Sequence, residues 1–242
     1  MNIMITGAGS GIGREAAKRF AGQCKHKLYL VSRNKQKLDS LKSEILEKDQ
    51  DSDIELLYGS VYEESDIHKW EKVLSSEFAA LDVLIHNAGK LIKKPFADLH
   101  MQDWLEVYKV NVFGPAMLTS RMIQFMMKSE IKSSGFRAHI VNISSMGGIQ
   151  GSQKFPGLSA YSSSKGAVIT MTECMAEEFA ERKIAVNCLA FGSADTAMFR
   201  EAFPGVRAGQ TAESMAEYLV KFALEGDMHF NGKTLQLSRS TP

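Results

Sequence analysis

A phenol and an ammonium lie four residues apart in the segment Tyr161-Ser162-Ser163-Ser164-Lys165. On an α-helix this spacing places both side chains on one face, within reach of a common point. Because a nearby positive charge favours phenolate over phenol, Lys165 is expected to lower the pKa of Tyr161 toward a range useful for proton transfer. A tyrosine and a lysine on the exposed face of an ordinary helix would show the same spacing. Whether this pair is catalytic therefore depends on the secondary-structure elements that position it.

Short apolar runs alternate with longer amphipathic stretches along the whole chain. Mostly apolar, β-branched strands separated by helices predict a parallel sheet with helices on both faces. Right-handed crossovers then give a doubly wound, Rossmann-type α/β fold of about seven strands. The predicted strands are Asn2–Thr6, Lys27–Ser32, Ile54–Tyr58, Val83–His86, Ala138–Ser144, Ile184–Ala190 and Thr234–Leu237. The predicted helices are Gly11–Gln23, Lys35–Lys48, Glu64–Phe78, Met101–Lys128, Ala160–Arg182 and Thr211–Leu224.

Composition limits the classes of protein that the chain can belong to. No Pro/Gly/Ser linker or repeat divides the 242 residues, so one domain over residues 1–242 is expected. The formal net charge of +1 gives no reason to expect nucleic acid or an anionic membrane as a partner. No apolar run approaches the roughly 20 residues that span a bilayer, and no signal peptide is evident, so a cytoplasmic protein is expected.

The three cysteines, Cys24, Cys174 and Cys188, are odd in number and widely spaced. No CxxC motif or Cys/His cluster accompanies them, so neither a disulfide framework nor a metal site is expected. Reduced, buried thiols are the predicted state.

A glycine-rich loop follows the first predicted strand and opens the first predicted helix, with the sequence Thr6-Gly7-Ala8-Gly9-Ser10-Gly11-Ile12-Gly13. Glycines let the backbone approach a pyrophosphate closely, and the helix N-terminus adds amide donors and a favourable dipole. The spacing is neither a strict G-x-G-x-x-G nor a Walker P-loop. A flexible turn is the alternative, but four glycines in seven residues at a strand–helix junction favour phosphate binding.

Five motifs together carry a resemblance to a known family. Thr-Gly-x3-Gly-x-Gly at the N-terminus is followed in order by Asn87-Ala88-Gly89, Asn111, Ser145 and Tyr161-x3-Lys165. This set, which extends over essentially the whole chain, resembles the short-chain dehydrogenase/reductase family. The resemblance implies a nicotinamide cofactor and hydride transfer between that cofactor and a carbonyl or secondary alcohol.

The end of the second predicted strand indicates which nicotinamide cofactor the chain prefers. NAD-binding folds place an acid there, about 20 residues past the glycine loop, whereas this chain has Ser32-Arg33-Asn34. Arg33 can grip a 2′-phosphate through its planar guanidinium, so NADP(H) is favoured over NAD(H). The alternative is that Arg33 and Lys35 are solvated surface charges. Arg14 is a possible second phosphate contact.

The resemblance also assigns catalytic roles residue by residue. Tyr161 would donate a proton during reduction or accept one during oxidation. Ser145 would hydrogen-bond the substrate oxygen, where charge grows in the transition state. Lys165 would lower the phenol pKa and hold the nicotinamide ribose, and Asn111 would hold a water that links Lys165 to solvent. Without those roles, Ser145 could cap a turn and Asn111 could satisfy a buried backbone group.

The remaining cofactor contacts follow from the same resemblance. Ser60 and Val61 stand where the family commonly carries Asp-Val against the adenine, and Phe191 replaces the proline of the family's Pro-Gly-x-x-x-Thr. The full predicted cofactor set is Thr6, Gly7, Gly9, Ser10, Gly11, Ile12, Gly13, Ser32, Arg33, Asn34, Ser60, Val61, Asn87, Ala88, Gly89, Tyr161, Lys165, Gly192, Ala194 and Thr196.

Several residues between Ser145 and the end of the segment 199–208 are candidates for the substrate pocket. Phe155 and Leu158 could line the substrate pocket or pack on the protein, and the short segment 199–208 predicts a small lid over an open site. One alternative is a 3-oxoacyl-[acyl-carrier-protein] reductase, although Leu158-Ser159-Ala160 replaces that subgroup's Gly-Gln-x-Asn. The other is a sensor that binds NADP(H) without turnover. The resemblance further implies a homodimer or homotetramer that pairs through the two long helices.

Overall fold

The computed structural model describes residues 1–23, 26–77 and 79–239. Its strands are β1 (Asn2–Thr6), β2 (Lys27–Ser32), β3 (Asp53–Tyr58), β4 (Val83–His86), β5 (Ala138–Ser145), β6 (Ile184–Phe191), β7 (Ala194–Asp195), β8 (Gln210–Thr211) and β9 (Thr234–Leu237). Seven of them form one parallel sheet in the order β3-β2-β1-β4-β5-β6-β9, while β7 and β8 pair separately. The order reverses direction at β1, as in a doubly wound Rossmann sheet, so the predicted fold class is confirmed.

Helices cover both faces of the sheet. They are α1 (Gly11–Ala21), α2 (Lys35–Lys48), α3 (Glu64–Ser76), α4 (Met101–Tyr108), α5 (Gly114–Met126), α6 (Ser159–Glu178), α7 (Ala197–Ala202) and α8 (Ala212–Glu225). Alternate residues of β1 enter different cores: Ile3 and Ile5 pack with Phe20 of α1, whereas Met4 packs with Trp70 of α3. All five side chains are at most 2% exposed, as expected for a strand buried on both faces.

The predicted single helix over Met101–Lys128 is interrupted by a π-helical turn. Between α4 and α5, residues Lys109–Phe113 are π-helical, and the Gly114 N–H bonds the Lys109 carbonyl five residues back. Pro115 has no N–H to offer the Asn111 carbonyl, which explains why the α pattern cannot continue through this point. The wider turn contains Asn111, and π turns often occur at functional sites.

Other differences from the prediction lie at element ends. Helix α1 ends at Ala21, and α6 runs from Ser159 only to Glu178, where the prediction continued to Arg182. Helix α7 and the short strands β7 and β8 were not predicted. The predicted end of the third helix, Phe78, lies outside the described residues, as does Cys24. Cys188 is buried as predicted, but Cys174 on α6 is exposed, so the prediction of buried thiols is wrong there.

Candidate active site

A cavity of about 880 Å³ lies at the carboxyl ends of the central strands. This is where ligands bind in open α/β sheets, and the volume suits a dinucleotide with a small substrate. Most of the predicted site residues line it: Gly7, Gly9, Ser10, Gly11, Ile12, Ser32, Arg33, Asn34, Ser60, Val61, Asn87, Ala88, Gly89, Ser145, Tyr161, Lys165, Gly192, Ala194 and Thr196. Three predicted residues, Thr6, Gly13 and Asn111, lie behind the wall instead.

Thr6 ties the glycine loop to the end of β4. Its Oγ1 accepts hydrogen bonds from the backbone N–H groups of Asn87 (3.0 Å) and Ala88 (3.1 Å) and donates to the Ile85 carbonyl (3.2 Å). The Asn87 amide in turn donates to the Thr6 carbonyl (3.0 Å). Because Thr6 is buried and fully engaged, it positions the loop and does not face the cavity.

Glycine is required at two points of this loop for different reasons. Gly7 has a φ of 70°, and a Cβ added there would lie 2.8 Å from the Ala88 Cα. A Cβ added at Gly13 would lie 2.6 Å from the Gly7 carbonyl oxygen. The loop and the first turn of α1 therefore pack against each other and against β4 with no room for a side chain. This packing leaves Gly9, Ser10 and Gly11 on the cavity wall at the N-terminus of α1, where a phosphate is favoured.

One end of the cavity carries two basic side chains. Arg33 is exposed on the wall, and within the described ranges it forms no ion pair. Lys37, which sequence reasoning missed, lines the same wall. It lies in the first turn of α2, capped by the Asn34 side chain, which accepts from the Lys37 N–H (2.9 Å). The position of Lys37 just inside a helix that begins after Arg33 was the signal that could have revealed it.

Arg14 does not join this basic wall, so its prediction as a second phosphate contact is wrong. Its guanidinium donates to the Lys37 carbonyl (3.0 Å) and to Ser40 (3.3 Å), and it pairs with Glu44. The side chain therefore bridges α1 to α2, and it is not among the residues that line the cavity. Arg14 is held away from the cavity by Glu44 of α2, which is 30 residues away in the sequence, so the pairing could not be predicted from the sequence.

Ser60 and Val61 line the cavity just after β3, the edge strand that pairs with β2 and so lies next to the strand that precedes Arg33. The Ser60 backbone N–H donates to Asp66 (2.9 Å), which fixes the turn after β3. The Ser60 hydroxyl is buried and has no hydrogen-bond partner among the described residues. A buried, unpaired hydroxyl in a cavity wall is free to bond the polar edge of a bound ligand.

At the other end of the cavity the hydroxyls of Ser145 and Tyr161 meet. Ser145 ends β5, and Tyr161 lies in the first turn of α6. A hydrogen bond joins the two side chains and favours the phenolate, but burial of the phenol has the larger effect and raises the pKa of Tyr161. The Ser145 hydroxyl also accepts from the Gly147 N–H (3.2 Å), which caps the short 3₁₀ turn that follows.

Lys165 lies beside Tyr161 but is directed at the sheet. Its Nζ donates to the Ile143 carbonyl of β5 (2.7 Å) and is 5.8 Å from the centroid of the Tyr161 ring. Burial lowers the pKa of Lys165 to about 8. The prediction that Lys165 lowers the pKa of Tyr161 is wrong here, because burial of the phenol dominates. The phenol is therefore a neutral hydrogen-bond and proton donor in this structure, and burial makes it a weaker acid than a free tyrosine.

Close contact between α6 and the end of β5 fixes this pair. The Ser144 hydroxyl donates to the Lys165 carbonyl (2.7 Å), and a Cβ added at Gly148 would lie 2.6 Å from the Lys165 carbonyl carbon. A side chain at position 148 would therefore push α6 off the sheet. The positions of Tyr161 and Lys165 depend on this glycine as well as on their own helix.

Asn111 forms a complete set of hydrogen bonds from the π turn. Its Oδ1 accepts from the Lys90 N–H (2.8 Å), and its Nδ2 donates to the Lys90 carbonyl (3.0 Å) and to Ser164 (2.8 Å). Asn111 thus satisfies backbone groups of Lys90, which is the non-catalytic role considered for it from the sequence. Asn111 Oδ1 and Lys165 Nζ also lie 3.7 and 3.8 Å from the point that a Cβ on Gly89 would take, so both side chains lie beside Gly89.

Comparison with known proteins decides the family. The family model described as short chain dehydrogenase matches residues 1–207. The chain belongs to the short-chain dehydrogenase family. It is an oxidoreductase of this family, whose members use a nicotinamide cofactor.

Individual relatives of this dehydrogenase are distant in sequence. An uncharacterized oxidoreductase of Staphylococcus aureus strain MW2 is 28% identical over 228 residues, which are 94% of this chain and 92% of that protein. A putative short chain dehydrogenase from Escherichia coli CFT073, solved in complex with NADPH, is 28% identical with a TM-score of 0.85, covering 97% of this chain and 95% of that one. A 3-ketoacyl-(acyl-carrier-protein) reductase from Brucella melitensis, solved with NADH, is 25% identical with a TM-score of 0.83, covering 98% and 96%.

The dehydrogenase keeps an intact cavity edge at Phe191 despite the missing proline. Phe191 continues β6 by one residue, lies opposite Ser145 and Leu237 in the ladder, and packs into the core. Beyond it, the Thr196 hydroxyl accepts from the Phe199 N–H (3.2 Å) and so caps α7. The Thr196 methyl group also lies 3.2 Å from the Cβ position of Gly11, which places this edge against the glycine loop.

The cavity lining includes many apolar side chains besides the glycine loop and the hydroxyls. Phe155 and Leu158 both line the cavity and also pack on the protein, since Phe155 meets Phe203 edge-on and Leu158 is buried. The segment after Thr196, predicted only as a small lid, folds into α7. Further apolar lining residues include Leu91, Met146, Met198, Phe199, Phe203 and Val206.

Within residues 1–23, 26–77 and 79–239, no group of three or more His, Cys, Asp or Glu side chains could hold a metal ion. No helix there combines the length and apolarity needed to cross a membrane.

Proposed function

We propose that this dehydrogenase is NADP(H)-dependent and transfers hydride between the nicotinamide and a carbonyl or secondary-alcohol substrate. The observation that carries the proposal is the cavity wall. Two hydroxyls, Ser145 and Tyr161, meet at one end, and Arg33 and Lys37 stand at the other. Among the described residues that line the cavity there is no carboxylate to repel a phosphate.

The residues present fit the cofactor from end to end. The glycine loop and the N-terminus of α1 would hold the pyrophosphate. Arg33 and Lys37 would bind the 2′-phosphate, and the unpaired Ser60 hydroxyl would bond the adenine edge. Relatives have been solved with NADPH or with NADH, so the family alone does not decide the cofactor. The charge of this chain's own wall supports NADP(H).

Within the chain, each catalytic side chain has one task during reduction. The cofactor supplies the hydride. Tyr161, a neutral phenol at physiological pH, donates a proton to the substrate oxygen. Ser145 donates a hydrogen bond to the same oxygen as negative charge develops there. Lys165 and Asn111, neighbours beside Gly89, hold the cofactor ribose and connect Tyr161 to solvent.

This activity is tested by following the decrease in NADPH absorbance in the presence of a panel of carbonyl compounds. Ketones, diketones, quinones and a 3-oxoacyl thioester are each mixed with protein and NADPH. Oxidation of NADPH by any of them supports the proposal, and preference for the thioester favours the acyl-carrier-protein reductase alternative. Tight NADPH binding with no oxidation across the panel would favour the sensor and refute the enzyme.

Replacing Arg33 with alanine is expected to weaken NADPH binding by about 30-fold, because a charge-assisted contact to the 2′-phosphate contributes about 2 kcal/mol. The Kd for NADH is expected to remain within about twofold of the wild-type value. Arg19→Ala is the matched control, since Arg19 pairs with Glu217 and is not among the residues that line the cavity. Fluorescence titration with both cofactors measures this, and equal loss of NADH and NADPH affinity would sink the phosphate assignment.

We also propose that the enzyme forms a homodimer or homotetramer through α4 and its neighbours. Phe96 and Met101 are 69% and 72% exposed, and Leu105 and Phe113 extend the same apolar surface. Leu105→Glu is expected to shift the protein to monomer in analytical ultracentrifugation because it places a charge in that surface. The control Met228→Glu, at another exposed apolar residue beyond α8, should leave assembly unchanged. A monomeric wild-type protein would contradict the proposal.

The extent and location of the enzyme remain proposals. One domain over residues 1–242 is supported by the sheet itself, in which β9 near the C-terminus pairs with β6. A cytoplasmic location stays a prediction from the sequence.

A further inference from the structure

Three phenylalanines form a continuous wall at the substrate end. The rings of Phe199 and Phe203 are 5.2 Å apart at an interplanar angle of 33°, and Phe155 meets Phe203 edge-on at 5.9 Å. Phe155 comes from the loop before α6, whereas the other two belong to α7 and the residue that follows it. Phe155 is still 48% exposed, so the wall has ring surface left for a ligand.

Lys93 holds this wall from the loop after β4. Its Nζ donates to the carbonyl of Ala202, the last residue of α7 (2.7 Å), and lies 4.6 Å from the centroid of the Phe203 ring. A cation near a helix C-terminus and over a ring face is favourable on both counts. Since α7 has only six residues, it gains little stability on its own, and an outside contact of this kind sets where it lies.

The same loop also anchors the segment that bears Phe155. The Lys94 N–H donates to the Gly157 carbonyl (2.9 Å), two residues beyond Phe155. Lys93 and Lys94 thus connect both parts of the phenylalanine wall to one stretch of chain. Their side chains differ in task, because Lys94 pairs with Asp103 of α4, whereas the ammonium of Lys93 contacts Ala202 and Phe203. The stem of Lys93 also lies close to Gly157, where a Cβ would be 3.2 Å from the Lys93 Cγ.

The chemistry of this end selects against small polar substrates. Leu91, Met146, Leu158, Met198 and Val206 line the same cavity as the three phenylalanines, and the polar lining includes the catalytic hydroxyls, Ser162 and Arg207. A polyhydroxylated ketone would lose hydrogen bonds to water without replacing them here. A ring would gain stacking and apolar burial.

We propose that Lys93 is a positioning residue for the phenylalanine wall and that the substrate is a carbonyl compound with a bulky, apolar, ring-bearing group beside the carbonyl. This inference rests on the proposed reductase function. Lys93 acts through Phe203 and α7, and the wall then receives the ring while Ser145 and Tyr161 receive the carbonyl oxygen.

The test compares 1-tetralone, a bicyclic ketone, with hydroxyacetone in NADPH oxidation and in calorimetric binding to the NADPH-loaded protein. Wild-type kcat/KM is expected to be about 100-fold higher for 1-tetralone. Lys93→Met should raise KM for 1-tetralone about tenfold with kcat, NADPH affinity and hydroxyacetone turnover nearly unchanged. Lys93→Arg should restore the wild-type KM, because a guanidinium can donate to Ala202 and stack on Phe203.

Lys128→Met is the matched control, since Lys128 lies over the Phe125 ring at 5.0 Å on another part of the molecule. The inference is overturned if hydroxyacetone is reduced as well as 1-tetralone, or if Lys93→Met and Lys128→Met change KM equally. A fall in Tm with equal loss toward both ketones would show a merely structural lysine and also overturn it. If neither ketone is reduced but 1-tetralone binds and Lys93→Met weakens that binding about tenfold, the wall stands and the reductase function fails.

Discussion

Replacing Tyr161 with phenylalanine is expected to lower NADPH-dependent carbonyl reduction by about 1,000-fold, the range that a positioned proton donor contributes. The substitution removes one oxygen and leaves the ring in its half-buried place at the start of α6. The substrate oxygen then develops negative charge with only the Ser145 hydroxyl to bond it. Because the loss falls on the transition state, kcat should decrease while KM changes little.

The control for this variant is Tyr218→Phe. Tyr218 stacks on Phe222 at an interplanar angle of 11° in α8, outside the cavity lining, so loss of its hydroxyl should leave turnover unchanged. NADPH affinity, measured by fluorescence titration, is expected to stay within about threefold of wild type in both variants. Turnover by Tyr161→Phe within tenfold of wild type would remove Tyr161 from the proton-donating role.

The sequence predicted the scaffold well because the signals for the scaffold are local. Each strand of the main sheet is a short apolar run, and alternation along β1 sends Ile3 and Met4 to opposite cores. The seven strands were therefore found within one residue at each end. Helix ends were less accurate: Pro115 breaks the hydrogen-bond ladder of a helix whose apolar pattern continues through it, and pattern alone does not show a π turn.

Site residues were predictable where a sequence motif fixes the local backbone. They were less predictable where a contact with a residue distant in the sequence determines the position of a side chain. Arg14 and Lys37 illustrate this: both are basic and near the cofactor loop, but Glu44 binds Arg14, while Lys37 remains on the wall. Thr6 was expected to contact the cofactor and instead anchors the loop. The prediction of a lowered pKa for Tyr161 was wrong for a related reason. The spacing of Tyr161 and Lys165 shows that the two side chains are close, but it does not show that both are buried.

Replacing Lys165 with methionine is expected to lower kcat about 100-fold and to raise the Kd for NADPH about tenfold. Methionine fills much of the same buried space, but the cation beside Tyr161 and the donor for the cofactor ribose are both lost. The Ile143 carbonyl also loses its partner, which should destabilise the protein by about 1–3 kcal/mol. Lys154→Met is the matched control, because Lys154 donates to the Ile149 carbonyl (2.6 Å) at the surface.

The pH profile separates loss of the Lys165 charge from loss of its packing. Burial lowers the pKa of Lys165 to about 8, so its ammonium is present below that pH and is lost as pH rises through it. Wild-type reduction should therefore decline above about pH 8, the direction expected when a required cation loses its proton. Lys165→Met has no such group, so its low residual rate should lack this alkaline decline, whereas Lys154→Met should retain it. An unchanged profile in Lys165→Met would mean that another group titrates, and that Lys165 serves the fold of α6 on the sheet without acting in proton transfer.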